Sequence, residues 1–151
     1  MYKRILVPLD GSDTAQRGLS EAMGLARSLG ATLHLLHVVA DPQWLVDPMA
    51  LGAPLTLHQE MHRFGEELLA KAAQVCSAAG VAAQTRLRDG AGSTPGRLIV
   101  EEAVAAGCNA IVMGTHGRKG VSRMLLGSDA SWVVHSSPVP VLLVRMDTVP
   151  A

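Results

Sequence analysis

Short apolar runs that alternate with helix-period segments set the tightest limit on the fold of this chain. Ile5-Leu-Val-Pro-Leu9 is the first; Leu33 to Val39, apolar except for His34 and His37, reads as a second buried strand; and Ala110 to Met113 and Val139 to Val144 follow later. A strand apolar at every position has to be covered on both faces, the situation of a parallel sheet between two layers of helix. Val81 to Leu87 differs: Val81, Ala83, Thr85 and Leu87 alternate with Ala82, Gln84 and Arg86. That alternation leaves one face wet and predicts a strand at a sheet edge.

The segments between these runs carry helix signals. Asp13 caps the first, with Gln16 three residues on as in a capping box, and Gly30 stops it. Ala15, Leu19, Ala22, Ala26 and Leu29 form its apolar face. Residues 40–54, interrupted by Pro42, Pro48, Gly52 and Pro54, read as loop. A long helix starts near Thr56, with Leu57, Met61, Phe64, Leu68, Ala72, Val75 and Ala79 along one side and Gly80 at its end. Thr94-Pro95 opens a third helix running to Ala106, and Ser128 to about Ser136 forms the fourth. Strict alternation of five strands and four helices predicts an α/β fold: one doubly wound five-stranded parallel sheet with helices on both faces. If the third strand is an edge, an order of 3-2-1-4-5 places the reversal of winding between strands one and four. Ligands of such sheets sit beyond the carboxyl ends of the strands at that reversal. The loop Pro8-Leu-Asp-Gly-Ser12 and the loop from Gly114 would then face each other across one crevice.

At 151 residues the chain has room for one domain, taken here as 1–151, and no internal repeat divides it. Lys plus Arg and Asp plus Glu both number 13, so no global field draws the protein to nucleic acid or to an anionic membrane. One Phe and one Tyr are too few for stacking platforms on single strands. Cys76 and Cys108 each lie in or beside an apolar helical pattern and read as reduced core thiols. The N-terminus passes directly into a strand-like run, with no signal-peptide pattern, and no apolar stretch nears the roughly 20 residues of a membrane span. The expectation is a cytoplasmic protein. Charged residues are only 17% of the chain, which suggests that some surface is buried between subunits.

The loop after Met113 carries the chemistry. Gly114-Thr-His-Gly117-Arg-Lys-Gly-Val-Ser-Arg-Met-Leu-Leu-Gly127-Ser128 links a strand to a helix start. Glycines let backbone amides approach a ligand, and a helix N-terminus presents unpaired N–H groups to an anion. Arg118, Lys119 and Arg123 lie between the outer glycines with no acid among them. This is a phosphate-binding loop, although it holds neither G-x-x-x-x-G-K-[ST] nor G-x-G-x-x-G, so it is not a Walker or a dinucleotide loop.

Gly114-x2-Gly117-x9-Gly127-Ser128, Ile5-Leu-Val-Pro-Leu-Asp10-Gly-Ser12, His37-Val-Val39 and Pro138-Val-Pro-Val-Leu-Leu-Val144 together resemble the universal stress protein family, in its ATP-binding subgroup, over nearly the whole chain. The resemblance implies the sheet order above and ATP as ligand. It implies Asp10 and Val38 at the adenosine end, with Pro8 and Leu9 lining the base. Gly114, His116, Gly117 and Arg118 would embrace ribose and phosphates, Gly127, Ser128 and Asp129 would close around the phosphate tail, and Met113 is counted among the binding residues. A carboxylate such as Asp10 suits hydrogen bonds from ribose or the adenine amino group. Asp129 departs from the uncharged residue common after the Gly-Ser pair in relatives. An acid in a first helical turn complements the helix dipole; beside a triphosphate it repels unless a cation intervenes, and Mg²⁺ is the ion suited to carboxylate and phosphate oxygens. Family members commonly pair along the last strand, and a homodimer through Val139 to Val144 is expected, because Pro140 suits an edge while the neighbouring valines and leucine are too apolar to leave exposed.

His58 and His62 stand four apart on the predicted second helix and could share a face, but Gln59 occupies the position where a zinc-protease pattern needs Glu, so both are read as surface residues and no metal is assigned to them. His34 and His37 are read as hydrogen-bonded core residues. Asp10, Ser12 and His116 lack the G-x-S-x-G elbow of a hydrolase. Trp44, Leu45, Val46, Met49 and Leu51 make one loop unusually apolar, suited to a lid, an interface or packing on its own helix. Two functions stay open. One is a nucleotide-binding stress or signalling protein whose occupancy alters shape or partner choice. The other is a slow ATPase or an adenylyl- or phosphoryl-transfer enzyme. The absence of a general base or a second catalytic cluster favours the first.

Overall fold

A computed structural model describes residues 1–41, 53–116 and 125–146, with backbone alone for 53–55. The apolar loop Trp44 to Leu51 and the loop residues Gly117, Arg118, Lys119 and Arg123 lie outside the described residues. Nine elements follow in chain order: β1 (Arg4–Pro8), α1 (Asp13–Leu29), β2 (Thr32–Val39), α2 (Ala53–Ala78), β3 (Ala83–Asp89), α3 (Pro95–Ala105), β4 (Ala110–Gly114), α4 (Ser128–Ser136) and β5 (Val141–Val144). The strands form one sheet in the order β3-β2-β1-β4-β5, and every pairing is parallel.

The alternation of side chains along each strand divides the core in two. Ile5, Val7, Leu33, Leu35 and Val112 face α1 and α2, meeting Ala15, Leu19, Ala22, Leu69, Ala72 and Cys76. Leu6, Leu36, Ile111 and Met113 face α3 and α4, meeting Ile99, Ala103, Ala130 and Val133. Both faces of β1, β2 and β4 are therefore covered, which is why those runs are mainly apolar; His34 and His37 of β2 are buried with hydrogen-bond partners. Among the described residues strand β3 pairs with β2 alone, at the edge as expected; Gln84 and Arg86 are exposed as the alternation predicted, but Thr85, on the other face, is exposed as well. Arg88 on this strand reaches Glu101 and Glu102 of α3 at 3.6 and 3.7 Å. Glu102 is itself buried, with its Oε1 2.8 Å from His34 Nε2. No helix among the described residues is long and apolar enough to cross a membrane.

Several local expectations shift. The N-cap of α1 is Ser12, whose Oγ accepts the Ala15 N–H at 3.2 Å, so Asp13 is already the first helical residue and no Asp13–Gln16 capping box forms. Leu29 is half-exposed, and buried Gly18 joins the apolar face in its place. The face of α2 is Gly65, Leu69, Ala72 and Cys76, while Phe64 and Val75 are exposed. A Cβ on Gly65 would lie 2.5 Å from the His37 ring and 2.7 Å from Leu87 Cδ1, so α2 meets the sheet through this glycine. A pattern counting only large apolar residues selects the neighbouring face.

Strand β3 begins two residues later than predicted because Val81 still belongs to the helix exit: its N–H bonds back to Cys76 O, with Gly80 left-handed at φ 71°. Strand β5 begins at Val141 because Pro138 and Pro140 have no N–H to give a ladder. Both cysteines are buried free thiols. Burial raises the Cys76 thiol pKa and pushes that of Cys108 up to about 11; for Cys108 nearby Arg4 opposes the shift and Glu102 adds to it.

Candidate nucleotide-binding crevice

Two loops leave the carboxyl edge of the sheet side by side. Strand β1 pairs with β2 on one flank and β4 on the other, so the winding reverses between β1 and β4 as predicted. After β1, Leu9 prolongs the ladder by donating its N–H to Leu36 O at 2.7 Å. Its carbonyl accepts from His37 Nδ1–H, also at 2.7 Å, which fixes the tautomer of that buried ring. Gly11 then turns with φ 85°, and Asp10 Oδ1 accepts the Ser12 N–H at 2.9 Å.

The loop after β4 is anchored just as firmly at both described ends. Buried Thr115 donates its N–H to Val144 O at 3.0 Å and accepts from Gly127 N–H at 2.9 Å through its carbonyl. His116 spans the same gap: its Nε2 lies on Leu125 O and its Nδ1 3.0 Å from Thr115 Oγ1. A carbonyl oxygen can only accept, so Nε2 carries a proton; in the neutral ring Nδ1 then accepts from the threonine hydroxyl. Thr115 was not singled out from the sequence, although it sits between the strand-ending glycine and the site histidine. Together Thr115 and His116 bring the start of α4 back beside the end of β4.

Three described helices have defined N-caps, and they are satisfied differently. Helix α1 uses Ser12. Helix α3 has Thr94 as N-cap without a side-chain bond, but Asp129 Oδ1 accepts the Gly96 N–H at 2.8 Å. Helix α4 has Gly127 as N-cap and no side-chain cap bond. Its first-turn amides have no intrahelical acceptor, as in any helix start, and its N-cap glycine has no side chain to cap them. They open at the carboxyl edge beside the two loops, with Ser128 exposed at the first helical position. This arrangement suits an anion.

The individual expectations divide. Pro8, Asp10, Gly114, His116 and Gly127 are half-buried and Ser128 exposed, all at the carboxyl edge around the β1/β4 reversal. Val38 is half-buried at the end of β2, one strand away. Leu9 and Met113 are in the core at 3% and 6% exposure, so their side chains belong to the packing of the sheet. A Cβ on Gly114 would meet Thr14 Cγ2 at 2.7 Å and the Thr14 carbonyl carbon and oxygen at 3.0 Å, so this glycine serves the close contact between β4 and α1. Asp129 turns one oxygen to the start of α3, a role that neither a dipole nor a magnesium reading anticipated. Gly117 and Arg118 lie outside the described residues.

The chain is 33% identical to a universal stress protein of Methanocaldococcus jannaschii across 96% of this chain and 83% of that one. Among solved structures, the universal stress protein UspA from Lactobacillus plantarum superposes with a TM-score of 0.83 at 27% identity, covering 95% of this chain and 98% of that one. A universal stress protein from Archaeoglobus fulgidus, solved in complex with dAMP, superposes with a TM-score of 0.69 at 25% identity, covering 95% and 98%. The universal stress protein family model matches residues 1–145, and the chain belongs to that family.

Proposed function

We propose that this chain is a cytoplasmic ATP-binding stress or signalling protein, acting as one domain over residues 1–151, in which nucleotide occupancy alters conformation or partner choice. The observation that carries the reading is the start of α4: a helix N-terminus without a side-chain cap, held by Thr115 and His116 at the reversal between β1 and β4. The relative solved with dAMP has the same fold, which supports an adenine nucleotide here. In this reading Pro8, the backbone of Leu9, Asp10 and Val38 receive adenosine. Met113 and Gly114 shape the floor, His116, Gly117 and Arg118 meet ribose and phosphates, and Gly127, Ser128 and Asp129 surround the phosphate tail. Mg²⁺ accompanies the phosphates, with Asp129 within its reach only through the oxygen not bonded to Gly96.

Calorimetry with ATP, AMP and cyclic AMP tests the proposal. Saturable binding of ATP, weakened at least tenfold by Gly127→Val or Ser128→Ala, is expected, and ATP without measurable heat at millimolar concentration would refute it. A single-turnover assay with labelled ATP separates binding from slow hydrolysis or transfer; intact ATP after a full turnover window is the expected result, since no general base accompanies the loop.

We further infer a homodimer through the last strand. Among the described residues strand β5 is an edge that pairs with β4, and Leu142 on it is 46% exposed, with Trp132 and Val134 on α4 also exposed. A monomeric mass by light scattering at micromolar concentration would contradict it.

A further inference from the structure

On the far flank of the carboxyl edge, away from the β1/β4 reversal, α2 faces the end of β3. His58 and His62 lie on one face of α2, with ring centroids 4.7 Å apart. Both rings direct the same nitrogen at one carboxylate oxygen: His58 Nε2 is 3.2 Å and His62 Nε2 3.4 Å from Asp89 Oδ2. The three donor atoms lie within 4.8 Å of one another. We propose that His58, His62 and Asp89 bind a divalent transition-metal ion, with zinc(II) as the best fit.

The spacing carries the argument. Ligand atoms about 2.0–2.1 Å from a tetrahedral ion are separated from each other by roughly 3.3–3.4 Å. Two of the three edges of such a face are therefore already formed by the nitrogen–oxygen distances. Two imidazoles and one carboxylate suit zinc, cobalt, nickel or copper(II), and disfavour magnesium and calcium, which take oxygen ligands. The set supplies three ligands, and the side chains are 30%, 34% and 44% exposed, so water can complete the coordination.

The carboxylate is also mounted rigidly, as metal ligands are. Asp89 is in register with Val39, and its other oxygen accepts the Ala91 N–H at 3.2 Å. The next residue, Gly90, donates to Val39 O at 2.8 Å, and a Cβ there would lie 2.4 Å from that oxygen. Gly92 N–H is held by Asp41 Oδ2 at 3.1 Å. The turn after β3 thus fixes Oδ2 toward the helix. A bound ion would clamp the first turns of α2 to the edge strand. Gln59 stands where a zinc protease has its glutamate, so the site is one of binding and not of hydrolysis.

Titration of the full chain with Co²⁺, followed by its visible absorption and by displacement with Zn²⁺, tests the proposal. One ion per chain is expected, with affinity falling tenfold or more in His58→Gln, His62→Gln and Asp89→Asn. Zn²⁺ should raise the melting temperature of the wild type and leave that of the His58→Gln/His62→Gln variant unmoved. Wild-type protein alone gives a second readout: Zn²⁺ should protect residues 58 and 62 from histidine acylation, read by peptide mass. Equal modification with and without Zn²⁺, or unchanged Co²⁺ binding in the double variant, would overturn it.

Discussion

Substituting Gly114 by alanine separates two reasons for a glycine at the start of the loop after β4. If glycine is there only to admit a ligand, a methyl group should weaken nucleotide binding and leave the apoprotein intact. The packing says otherwise. The added Cβ would stand 2.7 Å from Thr14 Cγ2 and 3.0 Å from the Thr14 carbonyl carbon and oxygen, whereas carbon atoms rest about 3.5–4.0 Å apart. A threonine methyl can rotate aside, but a carbonyl in the first turn of α1 cannot move without the helix. Gly18 lies on the same contact, its Cβ position 3.4 Å from Gly114 N, so a shift of α1 is resisted there too.

Overpacking of this kind costs about 1–3 kcal/mol, and the loss of glycine's unfolded-state freedom returns about 0.4–1 kcal/mol. The net destabilisation is about 1–2 kcal/mol, or roughly 2–8 °C in melting temperature for a chain of this size. Urea and thermal denaturation of ligand-free protein measure it. Gly114→Ala as stable as wild type, with nucleotide affinity alone reduced, would show that the contact with Thr14 is not what requires glycine.

Other substitutions test the remaining joints. Glu102→Ala should destabilise the fold by about 2–4 kcal/mol, because it strands the buried His34 Nε2 and leaves Arg88 with Glu101 as its remaining partner on α3; chemical denaturation checks this. Asp129→Ala should cost about 0.5–2 kcal/mol by freeing the Gly96 N–H, and titrating the variant with ATP at several Mg²⁺ concentrations should show the wild-type magnesium dependence if that cap is its whole role. Cys108, with its pKa pushed up to about 11, should hold about one thiolate in a thousand at pH 8. Native protein should therefore stay unlabelled by a thiol reagent at that pH on a timescale where denatured protein reacts fully; rapid native labelling would refute the burial argument.

The edge place of β3 was legible because periodicity reports burial on one face or two. Its alternation sets it apart from four mainly apolar runs, but β5, apolar in sequence, is the other edge, so periodicity alone does not give the full order, which the family resemblance supplied. The helix faces were read less well, for a definite reason. Where α1 and α2 come closest to the sheet, the contact residues are Gly18 and Gly65, which add almost nothing to an apolar pattern. Close approach requires the absence of a side chain, and absence has no periodicity. Val75 and Phe64 were assigned inward for the same reason that Gly65 was passed over.

The place of the candidate crevice at the β1/β4 reversal was legible, and the duties of its side chains less so. A glycine-bearing loop between strand and helix fixes where an anion would sit, but charge alone does not say which backbone group a carboxylate will serve. Asp10 closes the turn before α1, and Asp129 crosses to α3 instead of serving its own helix. The second link joins residues 33 positions apart in the chain, a separation that no local motif encodes. Its effect is to satisfy the start of α3 from outside while leaving the start of α4 with a glycine cap. Among the described residues the two helix ends are thus unequal: a side chain from α4 bonds an amide at the start of α3, whereas the start of α4 has a glycine N-cap with no side-chain bond.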